Sequence, residues 1–251
     1  MGLSRTEISR LRGVARHRRD RHAAGRFVVE GEKLVREVLA SDLTVHQVLV
    51  AEGAGLTLDA PMVEVAGHQL ERIASTTSPQ PVLAEVTLPV HDRGDLATDR
   101  PVLVAVDLND PGNVGTLARS AEAAGFAGLV AMGTTADPWG PKTVRASAGA
   151  LFRLPVVIET DASDGLAWLG EAGFRRVGTR MHEATPCDRA ELSGPVALVL
   201  GSEAHGLGHH HDAQIDEWVT IPMAGNLESL NVAMSGAILT YEIARQRRES
   251  G

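Results

Sequence analysis

The sequence predicts an α/β protein in which a doubly wound parallel sheet follows a smaller α/β layer. Three observations predict it. Short, wholly apolar runs such as 102–106 and 196–200 suit strands buried on both faces. Helical stretches separate several of these runs, the alternation of a parallel sheet. A charged stretch carrying Gly94, residues 91–100, divides this region from a shorter segment with strands and helices of its own.

Taken in order, residues 1–22 read as a basic arm or helix, and 23–90 as the small domain. Within it, 27–31 is a strand and turn, and 32–40 a helix with apolar Leu34, Val35, Val38 and Leu39. Strands follow at 45–50 and 63–65, with a loop at 53–61 between them. A helix at 69–74 ends in the 75–79 turn, and 82–88 is the last strand. Residues 91–100 are the linker and 101–251 the large domain. Its strands are expected at 102–107, 129–132, 154–158, 175–179, 196–200 and 218–221, its helices at 114–124, 165–172 and about 228–247. The last helix is apolar nearly all round (Val232, Ala233, Met234, Ala237, Ile238, Leu239, Ile243). It should be buried within the domain or against a partner subunit.

The bulk numbers narrow the function. No apolar run approaches the roughly 20 residues of a membrane span, and the Arg-rich amino terminus lacks the apolar core of a secretory signal. A lone cysteine, Cys187, excludes an internal disulfide and CxxC zinc ribbons. A cytoplasmic protein without a metal is the simplest reading. The net charge of -8 argues against nucleic acid until its distribution is read. Residues 1–36 hold nine arginines and one lysine against four carboxylates, a local +6, so the rest of the chain carries -14. Arginine outnumbers lysine 22 to 2, and guanidinium forks suit phosphate. Arg10, Arg18 and Arg19 in the basic arm, with Arg145 among small residues, are the candidate RNA contacts.

Nucleotide-type ligands on such sheets sit at the carboxyl ends of strands, yet the common fingerprints fail. No GxGxxG follows the first strand, and Leu207 stands where a phosphate-loop lysine would be. Three other stretches stand at strand ends. The first is Asp107-Leu-Asn-Asp-Pro-Gly-Asn113 running to Arg119, with Asn113 placed to cap a helix. The second is Gly201-Ser-Glu203-Ala-His-Gly206, where glycines admit a ligand to the backbone. The third is Ile221-Pro-Met223 through Ser229-Leu230-Asn231, which crowds polar side chains into a helix start. Singly they are a helix cap, a turn and a second cap. His205 and His209 to His211 read as solvated loop histidines, Cys187 as incidental, and Trp139 as a packing residue.

In this order the three stretches resemble the motifs of the SpoU/TrmH class of SPOUT RNA methyltransferases. The stretch Lys142-Thr-Val-Arg145-Ala-Ser147-Ala-Gly149 is similar to that family's connecting segment. Ser75-Thr-Thr-Ser-Pro79-Gln-Pro81 is similar to the ribosomal-protein-like, SpoU-type RNA-binding domain that precedes the catalytic domain in many members, although glycine is usual where Pro81 stands. The resemblance implies a trefoil-knotted parallel-sheet domain, a homodimer with the site at its interface, and S-adenosylmethionine held by loops 178–180, 200–206 and 221–231. Thr179, Leu200, Gly201, Gly206, Ile221, Met223 and Leu230 would hold the cofactor, with backbone groups of Gly201, Ile221 and Leu230 on the adenosine. The implied reaction is methylation of a ribose 2′-hydroxyl in RNA, 23S ribosomal RNA first and transfer RNA second. Asn113, Ser229 and Asn231 would orient ribose and cofactor, and Glu203 would fix Arg119 or a neighbouring polar side chain. Arg119 matches the family's catalytic arginine. Because arginine is effectively never deprotonated, its expected role is to hold phosphate and stabilise the developing alkoxide. A base-nitrogen methyltransferase and a non-catalytic RNA-binding protein of the same fold are the competing readings.

Overall fold

A computed structural model of the chain describes residues 2–202, 206–225 and 229–250. The basic amino terminus does not hang off the body. It folds as two helices, α1 (Arg5–Arg16) and α2 (Arg18–Ala24). A capping box starts α1: Glu7 N–H donates to the Ser4 hydroxyl, and Ser4 N–H to the Glu7 carboxylate. Ile8, Leu11, Val14 and Ala15 fall on one face and are buried, so the arginines decorate the outside of an amphipathic helix.

Strands β1 (Arg26–Glu30), β2 (Val45–Ala51), β3 (Met62–Val65) and β4 (Val82–Thr87) make a sheet in the order β1-β4-β2-β3. β4 is antiparallel to β1 and to β2, while β2 and β3 run parallel. The period of two sorts the side chains. Val28, Leu49 and Leu83 pack with α1 and α4 (Gly67–Ile73). Phe27, Val29, Val48, Val50 and Ala84 face α3 (Glu32–Leu39) and the second domain.

The linker is fastened rather than loose. Arg93 forks onto Glu159 at 2.7 and 2.9 Å and lies over Trp168, 4.9 Å from the ring centroid. Val156 N–H donates to His91 Nδ1, and Leu96 is buried.

The second domain is a seven-stranded parallel sheet. It comprises β5 (Val102–Val106), β6 (Gly128–Met132), β7 (Val156–Glu159), β8 (Arg175–Thr179), β9 (Thr185–Pro186), β10 (Val196–Leu200) and β11 (Glu217–Thr220). Their order is β7-β6-β5-β10-β8-β11-β9, with parallel pairing throughout. All five residues of β5, β6 and β10 are buried, which is why these runs are apolar without alternation. Leu103 and Ala105 face α5 (Pro111–Ala123), α6 (Pro141–Ser147) and α8 (Val232–Ser250). Val102, Val104 and Val106 face α7 (Ala162–Glu171). Among the described residues, no helix is long and apolar enough to cross a membrane.

One expectation changes and two elements are seen in more detail. Helix α5 begins at Pro111, and Asp110, not Asn113, caps it by accepting from Gly112 N–H at 2.8 Å. Within the chain, helix α8 is buried on one face: Ala233, Leu239 and Ile243 are inside, while Met234 is 61% exposed and Tyr241 64%. The polar stretch around Cys187 contributes the short edge strand β9, and Cys187 is buried.

The two domains share a core. The Phe27 ring lies 5.1 Å from Trp139 and 6.1 Å from Phe152, centroid to centroid. Beside it Arg21 Nη2 donates to Asp137 Oδ2 at 2.5 Å, with the two side chains only 4% and 12% exposed. Arg153 bridges Glu37 and Glu122, both at 2.9 Å.

Candidate functional site

Chain segments leaving the carboxyl ends of β8, β10 and β11 enclose a cavity of about 480 Å³, closed on its fourth side by residues 229–232 and α8. This is the sheet edge where α/β proteins place ligands, and the volume is that of a small-molecule site. The wall mixes apolar side chains (Val219, Leu239) with hydroxyls and amides (Thr179, Ser202, Asn231).

Local chemistry shapes the rim. Gly206, at φ +62, donates its N–H to Ser202 O at 2.8 Å, so the two residues pair across the segment between them. A Cβ on Gly201 would stand 2.3 Å from the Gly206 carbonyl carbon and 2.4 Å from Leu207 N, so only glycine fits. At the end of β5, Asp107 takes φ 54, and its carboxylate accepts from Thr134 N–H and Oγ1 at 2.7 and 2.9 Å. That ties the turn before α5 to the loop after β6. Asp110 is held from α6 by Lys142 at 3.0 Å; the Gly112 amide and then Lys142 pull its carboxyl below the usual range.

Most of the residues singled out in the sequence meet here. Thr179, Gly201, Gly206, Ile221, Met223 and Leu230 line the cavity, as do Ser229 and Asn231. Leu200 does not; it is fully buried, with its side chain turned toward α8 at Gly236. Asn231 caps α8, its Oδ1 accepting from Ala233 and Met234 N–H at 2.9 and 3.3 Å, and its Nδ2 donates to Asn113 Oδ1 at 3.3 Å. The first motif thereby touches the third. Glu203 lies outside the described residues.

Arg119 stands apart. Six residues beyond Asn113 on α5, it lies about 240° round the helix and about 9 Å along it. It is exposed, does not line the cavity and makes no ion pair among the described residues. Of the candidate RNA contacts, Arg18 and Arg19 are exposed on α2. Arg10 forks onto the buried carboxylate of Glu85, and Arg145 donates to Ser75 Oγ of the first domain at 3.1 Å. His211 is buried beside Gln214, and no cluster of three metal-ligating side chains forms among the described residues. Burial, then the carboxylates of Glu242 and Asp188, push the Cys187 thiol up, away from the thiolate a nucleophile needs. Sequence reasoning missed Asp110 and the side chain of Arg180. The Asp-Pro pair signals a cap followed by proline at the first helical position.

Residues 100–241 match the SpoU rRNA Methylase family, and residues 7–84 match an MRM3-like substrate binding domain. The chain is 31% identical to the 23S rRNA (guanosine(2553)-2'-O)-methyltransferase RlmP of Bacillus subtilis over 230 residues, 90% of this chain and 91% of that protein. It is 34% identical to an uncharacterized tRNA/rRNA methyltransferase of Synechocystis over 80% of its own length, and spans 53% of that relative. Its fold is similar to the crystal structure of the SpoU methyltransferase AviRb from Streptomyces viridochromogenes in complex with the cofactor AdoMet. The TM-score is 0.88 at 28% identity, covering 99% of this chain and 100% of the other.

Proposed function

Because the chain belongs to the SpoU rRNA methylase family, we propose that it is an S-adenosylmethionine-dependent methyltransferase acting on a ribose 2′-hydroxyl in RNA. Its first substrate is 23S ribosomal RNA, as the name of the Bacillus relative suggests, and transfer RNA is the alternative. Ribosomal RNA as substrate makes it a cytoplasmic protein. The observation that carries this reading is the contact of Asn231, on the wall of the cavity, with Asn113 behind it on α5. It joins two of the three sequence motifs at one place.

The residues present fit S-adenosylmethionine. The cavity has the volume, and apolar Ile221, Met223 and Leu230 line it beside the hydroxyls and amide of Thr179, Ser229 and Asn231. Thr179, Gly201, Gly206, Ile221, Met223 and Leu230 would hold the cofactor, with Leu200 supporting them from beneath. When bound, it supplies a methyl group already activated on a sulfonium. The chain's own residues then have to orient the ribose. Asn113 is held by Asn231, which is itself fixed as a helix cap, so the pair is preorganised. Ser229 adds a hydroxyl on the same wall, and Glu203 would fix a neighbouring polar side chain. Arg119 keeps its proton and stabilises charge on the ribose oxygen, while phosphate or water receives the hydroxyl proton. Arg18, Arg19 and Arg145, with Arg10 where its fork on Glu85 leaves it exposed, would contact the RNA.

The same reading includes a homodimer and a trefoil knot. Met234, Ile238 and Tyr241 form an exposed stripe at helical spacing on α8, the kind of surface a second copy would cover. Arg119, which does not line its own cavity, would serve the partner's. The insertion of β10 between β5 and β8 supports a threaded carboxyl-terminal segment. The domains are proposed as residues 23–90 and 101–251 joined by 91–100, with 1–22 packed on the first as a helical extension. The test is incubation with S-adenosylmethionine and 23S ribosomal RNA transcripts, followed by nucleoside mass spectrometry. A 2′-O-methyl nucleoside is expected. A base-methylated nucleoside, or no transfer to any RNA, would sink the reading.

A further inference from the structure

Among the described residues that line the cavity, Arg180 is the single ionisable one. Its guanidinium is built into place rather than left to solvent. Nε and Nη2 both donate to Glu183 O, at 2.9 and 2.5 Å, and the group lies over the Trp218 indole, 4.8 Å from its centroid. The indole can lie there because Gly178 is its register partner on β8. A Cβ at Gly178 would come within 2.8 Å of the Trp218 ring. Arg180 follows Gly178 by two residues and continues the strand, its N–H donating to Val219 O at 3.2 Å, so it returns to the same face. Stacking and the carbonyl fork hold one edge of the guanidinium and leave Nη1 with no partner among the described residues. The result is a fixed cation, its Nη2 4.0 Å from the exposed Glu183 carboxylate, with an open donor in a wall whose other described residues are neutral.

A fixed guanidinium with a free N–H donor suits a carboxylate. S-Adenosylmethionine carries one carboxylate beside its two cationic groups. We propose that Arg180 anchors the amino-acid carboxylate of S-adenosylmethionine, so that this chain selects its cofactor by that group as well as by the adenosine. The assignment rests on the methyltransferase reading above. Trp218 and Gly178 act through Arg180 as positioning residues.

The test is a binding cycle by calorimetry, with no turnover required. The wild-type chain and Arg180→Met are each titrated with S-adenosylmethionine, S-adenosylhomocysteine and decarboxylated S-adenosylmethionine. In the wild type, losing the ligand carboxylate should weaken binding by about 10- to 100-fold, the range of a charge-assisted hydrogen bond. Arg180→Met should bind both carboxylate ligands more weakly by a similar factor and no longer distinguish S-adenosylmethionine from the decarboxylated analogue. Arg180→Lys should restore part of the preference, and thermal melts of both variants check that the fold is retained. If Arg180→Met keeps the wild-type preference, the assignment is overturned. The same holds if its cofactor affinities are unchanged while RNA binding weakens, which would make Arg180 a phosphate contact. A wild-type chain that binds none of the three ligands would overturn the methyltransferase reading, and this assignment with it.

Discussion

Asn231 performs two jobs with one side chain: its oxygen caps α8 and its amide nitrogen reaches Asn113 on α5, 118 residues earlier in the chain. Substitution can separate the two. Asn231→Asp keeps the cap acceptor but replaces the donor with an oxygen facing Asn113 Oδ1. Its melting temperature should stay near that of the wild type while methyl transfer falls by about tenfold or more. Asn231→Ala should lose activity and also about 1 kcal/mol of stability. Equal activity in Asn231→Asp and the wild type would remove the contact from the mechanism.

Arg119→Ala should lower turnover by about 100-fold or more, as for other groups that stabilise developing charge. It should leave S-adenosylmethionine affinity and stability close to wild type, since the side chain is exposed and outside the cavity. If Arg119 works on the partner's cavity, mixing Arg119→Ala with the cavity variant Gly201→Ala should rescue activity. Random pairing would place one intact site in about half of the dimers. An inactive mixture of folded, exchanging subunits would place Arg119 in its own chain's site.

The pair Arg21–Asp137 is buried between the domains. Asp137→Asn strands a buried guanidinium and should cost about 3–5 kcal/mol by denaturant titration. Replacing both, as Arg21→Met with Asp137→Leu, should recover most of that loss. A single variant as stable as the wild type would mean that water reaches the pair.

Glu85 sets an acid limit on stability. Burial pushes its carboxyl up, but hydrogen bonds from Arg10 and Gln47 outweigh that and hold it below its ordinary 4.5. The folded state therefore binds this proton less readily than the unfolded state does. The stability gained is present above about pH 4.5 and lost as pH falls through the folded value. Unfolding midpoints measured downward from neutral pH should decline less steeply in Glu85→Gln. Parallel declines would assign the acid sensitivity to other carboxylates.

What the sequence made legible depends on range. Strands β5 and β10 could be read because burial on both faces leaves only apolar residues there. The cavity lining could be read because Gly201, Ile221 and Leu230 sit in short motifs at strand ends. Asn113 suits a cap by residue type, but Pro111 sets the helix start two residues earlier and Asp110 caps it. Strand β9 is two residues long and carries no periodicity. The fork of Arg10 onto Glu85 is not legible in the sequence because the partner is 75 residues away. Arg180 falls in an expected ligand loop, but its orientation depends on Trp218 and on the missing side chain at Gly178, neither of which local spacing reveals.

The Phe27, Trp139 and Phe152 cluster has a bearing on how the chain can be cut and recombined. A fragment beginning at residue 101 would turn two core aromatics out to water, and the complementary fragment would bare Phe27 and the buried guanidinium of Arg21. The segment at 91–100 is thus a poor place to divide the protein, since its Arg93 is clasped by Glu159 as well. A chimera that borrows the first domain from another methyltransferase should inherit a new RNA preference only if it also brings a partner for Trp139 and a cation for Asp137.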